Sequence, residues 1–138
     1  MSQQFRKKNV LHLMWSKINE YVQHNKNDVL FGMASFLEEN PNVIKEELSY
    51  LYQKFLMPEN IRVDAIFSKK TEMNLVQTEG MSDLSIIKKL PPLIKAYLRL
   101  GAKIGDGAVV DKIFKTTDVF IYLPFNTIKP EYLKKFSL

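Results

Sequence analysis

The chain contains no cysteine, which removes disulfide frameworks, thiolate metal centres and cysteine nucleophiles together. Its two histidines, His12 and His24, are too few for a histidine-based metal centre, so no metal site is expected. Glycine is scarce, with five in 138 residues, and the patterns GxxxxGKS, GxGxxG, HExxH and GxSxG do not occur. Phosphate-loop, dinucleotide, zinc-protease and serine-hydrolase signatures are thereby excluded. Long apolar runs are missing too. The longest nearly unbroken one covers residues 119–125, far short of the roughly 20 residues of a membrane-spanning helix. The basic start, with Arg6, Lys7 and Lys8, leads into an amphipathic pattern where a signal peptide would carry a solid apolar stretch. The expectation is a soluble cytoplasmic protein, peripheral to the inner face of the membrane at most.

What the chain does have is ordinary globular material. Hydrophobic residues make up 46%, with nine Phe and six Tyr, enough to bury a core. At this length a single domain over residues 1–138 is expected. Twenty Lys and Arg against 15 Asp and Glu leave a net charge of +5, which suits an acidic partner without naming it.

Periodicity gives a coarse layout. After Asn9, a good N-cap, Leu11, Met14, Trp15, Ile18, Tyr21 and Val22 share one helical stripe. Residues 29–36 form a short apolar run that reads as a buried strand. Asn40-Pro41 introduces a second helix whose Ile44, Leu48, Leu51, Tyr52 and Phe55 repeat at helical spacing up to Pro58. Residues 61–67 alternate as a strand would, and 73–76 offer a shorter one. Pro91-Pro92 opens a third helix over 92–100, ended by Gly101 at the position after the C-cap. Residues 102–110 and 118–123 read as two strands joined by 111–117. Helices alternating with strands make an α/β or α+β protein, a mixed sheet flanked by helices.

Few residues carry chemistry on spacing alone. Arg6, Lys7 and Lys8 precede a helix start, where free backbone N–H groups already favour an anion; a solvated basic tail explains them equally well. Lys88, Lys89, Lys95, Arg99 and Lys103 could attract an acidic carrier protein or nucleic acid, although a solvated helix face is the plainer explanation. Gly105-Asp106-Gly107 fits a tight turn, most simply a hairpin corner. His12 lacks any partner at ligand spacing and reads as structural.

The stretch Leu90-Pro91-Pro92-Leu93-Ile94-Lys95-Ala96-Tyr97-Leu98-Arg99-Leu100-Gly101-Ala102, then Gly105-Asp106-Gly107-Ala108 and Thr116-Thr117-Asp118-Val119, is more specific. It resembles the C-terminal signature of the ornithine–acyl-carrier-protein N-acyltransferases, hemolysin-like members of the GNAT superfamily. Upstream, Phe5-Arg6 with Lys8, Leu11 and Met14-Trp15, then Gly32-Met33-Ala34-Ser35-Phe36, Leu48-Ser49-Tyr50-Leu51-Tyr52 and Met73-Asn74-Leu75, match the same family in order. The resemblance implies transfer of a fatty acyl group, often 3-hydroxylated, from acyl carrier protein to the α-amino group of ornithine, in ornithine lipid synthesis. No cofactor is bound; the phosphopantetheine thioester is a co-substrate. In GNAT folds the pantetheine pyrophosphate sits at a helix start, which here implies Arg6, Lys7, Lys8 and Asn9.

On the acceptor side, ornithine offers two amines and a carboxylate, and the candidates are Asp106, Asp118, Tyr97 and Arg99. The family pattern is departed from where no glycine stands in residues 6–10 and where Lys115 replaces a usual Asn. The largest departure is length, because the segment matched by Phe5 follows a whole half-domain in the family. The chain is therefore expected to be a partial GNAT-like fold, inactive alone, completed by a separately encoded N-terminal half or self-associating through the edge of the 29–36 strand. The alternatives are an inactive remnant, or a small basic module for nucleic acid or an anionic membrane surface; nucleic acid is the weakest, for want of interleaved aromatic and basic residues.

Overall fold

The computed structural model describes residues 28–65 and 67–129, together with Leu13, Lys17, Glu20, His24 and Glu131. The chain divides into two compact units, one of residues Met1–Val29 with Pro124–Leu138 and one of Leu30–Leu123. In the first unit Leu13, Lys17, Glu20 and His24 are helical and exposed. The remainder of the helix predicted after Asn9 lies outside the described residues. Also in this unit, the Phe125 N–H donates to the Asp28 carbonyl at 2.9 Å.

The second unit holds the sheet. Its strands are β1 (Val29–Phe36), β2 (Lys103–Ile104), β3 (Val109–Asp111) and β4 (Thr116–Pro124), in the order β1-β4-β2 with β3 also on β4. β2 and β3 run antiparallel to β4. So does β1: Ser35 meets Asp118 and Phe31 stacks on Phe120, so one strand descends as the other climbs. Among the described residues, parallel pairing occurs only at the isolated bridges Leu56↔Ile104 and Asp64↔Asp106. With the helices α1 (Lys45–Phe55), α2 (Asp83–Ile87) and α3 (Pro92–Arg99), this is the mixed α/β architecture expected from the sequence.

The long strand β4 sorts its residues by period two. Thr117, Val119, Ile121 and Leu123 are buried on the core side, while Asp118, Phe120 and Tyr122 stand half-buried on the other. Helix α1 supplies Leu48 and Leu51, both fully buried, and α3 supplies Ile94. Asn40 starts α1's approach as a turn, its side-chain oxygen accepting the Asn42 N–H at 3.0 Å. Pro92 sits in the first turn of α3, and Gly101, at φ 100°, ends it in the left-handed region as expected.

Several elements differ from the sequence reading. β1 has the expected bounds but is not buried on both faces: Ala34 and Phe36 face the core, while Phe31 and Met33 are 66% and 54% exposed. Hydrophobicity in an edge strand does not distinguish a covered face from an open one. Residues 61–67 are not a strand. Their backbone is held at one bridge, where the Ala65 N–H reaches the Asp106 carbonyl and the Asp106 N–H reaches Val63, between 3-10 turns at Glu59–Ile61 and Phe67–Lys69. Residues 73–76 form no strand either, because α1 captures them. Ser49 accepts the N–H groups of Leu75 and Val76 at 2.9 and 3.0 Å, and Gln53 binds Asn74, Val76 and Thr78. The short helix α2 has no counterpart in the sequence reading, because five residues are too few to show a helical period.

Residues 102–110 are not one strand, and Gly105-Asp106-Gly107 is not a hairpin corner. Between the pairs Ile104↔Ile121 and Val109↔Asp118 lie residues 105–108 on one strand but only 119–120 on the other, so the ladder carries a two-residue bulge. The corner is at 112–115 instead, where Asp111 accepts the N–H groups of Ile113 and Phe114. Lys115 there has φ 57°, a left-handed conformation that suits Asn better than Lys.

One buried carboxyl predicts a pH effect. Glu47 on α1 is 7% exposed, and burial pushes its carboxyl above the usual range, against the pull of Lys89, which is itself paired with Glu46 at 2.7 Å. A raised folded-state value favours the protonated form, so this stability is present in acid and lost as pH rises through it. Glu47→Gln, which cannot ionise, is expected to melt higher than the parent at pH 7 and to converge with it near pH 4; equal melting temperatures at pH 7 would refute the assignment.

Candidate functional site

Asp118 is the best-built polar position of the second unit. It lies on the outer side of β4, opposite Val109. Its Oδ1 accepts the Ser35 hydroxyl of β1 at 2.6 Å and the Thr116 hydroxyl at 2.9 Å. Thr116 is placed by the strand's period of two, and Ser35 by the antiparallel pairing of β1 with β4. Both donors take the same oxygen. The carboxylate is thus held through Oδ1. A carboxylate fixed in this way pairs readily with an ammonium group. Beside it, Thr117 ties the strand start to the loop after β1, its hydroxyl donating to the Glu38 carbonyl at 2.6 Å.

Asp106 serves differently. It sits in the bulge, its backbone joined to residues 63–65 and its carboxylate 3.4 Å from Lys70, both side chains largely buried. The bulge turns on Gly105, where a Cβ would stand 2.8 Å from the Val63 carbonyl oxygen and 3.1 Å from the Phe120 Cβ.

Tyr97 lies on α3 against the core side of the sheet. With Leu30, Phe31, Gly32, Met33 and Ile121 it lines a shallow pocket of about 50 Å³, room for a few atoms and not for a fatty acyl chain. Burial raises its phenol above the usual value. Arg99 is exposed at the end of α3. The structure brings Asp118 together with Ser35 and Thr116, not with Tyr97 or Arg99.

Three of the other cations singled out in the sequence make local contacts. Lys95 reaches the Lys88 carbonyl, Lys103 lies 5.8 Å from the Phe55 ring centroid, and Lys89 pairs with Glu46. Arg6, Lys7, Lys8 and Asn9 lie outside the described residues. Among the described residues no cluster of acidic or histidine side chains could hold a metal ion, and no helix is long and apolar enough to cross a membrane. Ser35 and Thr116 stood in the matched segments without an assigned role; the signal that could have found them is hydroxyls at cross-strand and i−2 positions from an acid.

No family model and no solved structure matches the chain. Curated proteins do. Over 134 residues, 97% of this chain, it is 37% identical to an L-ornithine N(alpha)-acyltransferase of Brucella abortus. The same name belongs to a Rhizobium meliloti protein, 37% identical over 97% of the chain, and to one of Rhodobacter capsulatus, 36% identical over 80%. The chain spans about half the length of the curated relatives it matches, 48%, 45% and 42% respectively, as fits the C-terminal half expected above.

Proposed function

From a chain homologous along nearly its whole length to about half of an ornithine N(alpha)-acyltransferase, we propose that it is part of such an acyltransferase, incomplete alone, and works in the cytoplasm. The amine nitrogen of ornithine attacks the thioester carbonyl of an acyl group carried on acyl carrier protein; the N–C bond forms, the C–S bond breaks, and the thiol leaves with a proton. Arg6, Lys7, Lys8 and Asn9 hold the phosphopantetheine phosphate, a role that suits clustered cations before a helical segment. Asp118 holds an ammonium group of ornithine, so that the reacting amine faces the thioester. Tyr97, Arg99 and Asp106 are the remaining acceptor-side candidates.

The observation that carries this reading is Asp118 itself, anchored at one oxygen by Ser35 and Thr116 within a chain whose relatives bear an ornithine-acylating name. In the enzyme assembled with the other half, Asp118→Asn is expected to raise KM for ornithine at least about tenfold, the loss of one charge-assisted contact, while KM for the acyl donor stays near the parent value. An unchanged ornithine KM would remove Asp118 from the acceptor site.

A further inference from the structure

Among the described residues of the second unit the three most exposed large apolar side chains are Leu37, Ile113 and Phe114, at 92%, 88% and 77%. They are far apart in sequence but share one end of the sheet. Leu37 directly follows β1, and the neighbouring Glu38 carbonyl is bonded to Thr117, which lies just beyond the 112–115 corner carrying Ile113 and Phe114. The corner is held in shape rather than loose. Asp111 Oδ1 accepts two of its N–H groups, at 2.9 and 3.0 Å. Lys112 and Lys115 flank the apolar pair and are both exposed.

We propose that this end of the sheet is an interfacial membrane anchor: Leu37, Ile113 and Phe114 enter the boundary between headgroups and acyl chains of an anionic bilayer, and Lys112 and Lys115 meet its phosphates. Aliphatic and aromatic side chains beside lysine are the combination that this boundary favours, apolar groups below and cations at the headgroup level. Of the carboxylates at the same end, Glu38 accepts the Asn40 N–H and Asp111 caps the corner, while Glu39 is half-buried, so the lysines that flank the apolar pair are the exposed charges of the corner. A second copy fits poorly. Three side chains offer roughly 400 Å² a copy, so two copies would bury about 800 Å², under the approximately 1,200 Å² of total buried surface expected of a stable dimer. The proposal deepens the acyltransferase reading, since an acylated amino acid is an amphiphile whose natural destination is a bilayer, but vesicle binding is measured without turnover and succeeds or fails independently of it.

The test is co-sedimentation of the full chain with phosphatidylcholine vesicles, with and without phosphatidylglycerol. The chain is expected to pellet with the anionic vesicles. Ile113→Ser with Phe114→Ser should lower the partition coefficient at least about tenfold, and Lys112→Ser with Lys115→Ser should lower it severalfold on anionic vesicles only. Because these positions are exposed, circular dichroism and melting temperature should match the parent. As a second readout, Phe114→Trp in a Trp15→Phe background should shift its emission to the blue on vesicles and be quenched by brominated acyl chains. Parent chain left in the supernatant with both vesicle types overturns the proposal. So does a serine variant that pellets like the parent, or one whose only change in light scattering is a dimer falling to a monomer.

Discussion

Given ornithine and an acyl-carrier-protein thioester, the 138-residue chain by itself is expected to transfer no acyl group above background. Adding the polypeptide that corresponds to the unmatched half of its relatives should raise the rate at least about a hundredfold, since that is the order of loss from an ångström's misplacement of reacting groups. The physical reason lies at β1. Among the described residues this strand pairs on one side with β4 and on the other with no strand. Its open edge and its exposed Phe31 and Met33 are surface that natural sheets cover or blunt. The adjoining pocket of about 50 Å³ cannot seat an acyl chain. Thioester cleavage followed with a thiol reagent measures the rate, and light scattering of the mixed polypeptides measures the complex. A chain that turns over alone at the rate of the mixture would refute the prediction; a complex that forms without activity would identify a remnant that keeps its docking surface.

Gly105→Ala is expected to destabilise the chain by about 2–3 kcal/mol, out of the roughly 5–15 kcal/mol typical of domains. The added methyl would press on the Val63 carbonyl, a backbone atom, and on the Cβ of Phe120, neither of which can swing aside as a side-chain tip would. Yielding there means parting the Asp106–Val63 and Ala65–Asp106 hydrogen bonds, so the bulge and the 59–71 segment should loosen together. Gly32 is the control. A Cβ there meets nothing within 4 Å, and Gly32→Ala should change stability by less than about 0.5 kcal/mol. Urea melts of both variants make the comparison, and equal midpoints would show that the bulge is not tightly packed.

Helices α1 and α3 were the legible part of the fold. Ile44, Leu48 and Leu51 follow the helical period on one face of α1, and Pro92 and Gly101 bracket α3, because helix signals are local. Sheet partners were not legible. The alternation at Ile61, Val63 and Ala65 is real, yet Ile61 and Val63 are 42% and 41% exposed and the segment forms a single bridge, since period two says nothing about whether a neighbouring strand is present. Ser49 and Gln53 hid their role as hydrogen-bond partners of residues 74–78 within an amphipathic helix, where polar side chains ordinarily face water. Asp118 was singled out by chemistry, but its hydroxyl partners emerge only once β1 is laid beside β4.

That last contact joins two events that are separate on paper. Ser35 belongs to the edge strand and Asp118 to the strand inside it, so the 2.6 Å hydrogen bond between them is only as steady as the edge. Whatever polypeptide completes the sheet along β1 also stills the hydroxyl that aims the carboxylate. If Asp118 holds the acceptor amine as proposed, thermodynamic linkage requires the converse: the bound amine would tighten the grip of that polypeptide by the same factor by which the polypeptide tightens the grip on the amine. Assembly and acceptor binding become one heterotropic equilibrium, read from either end.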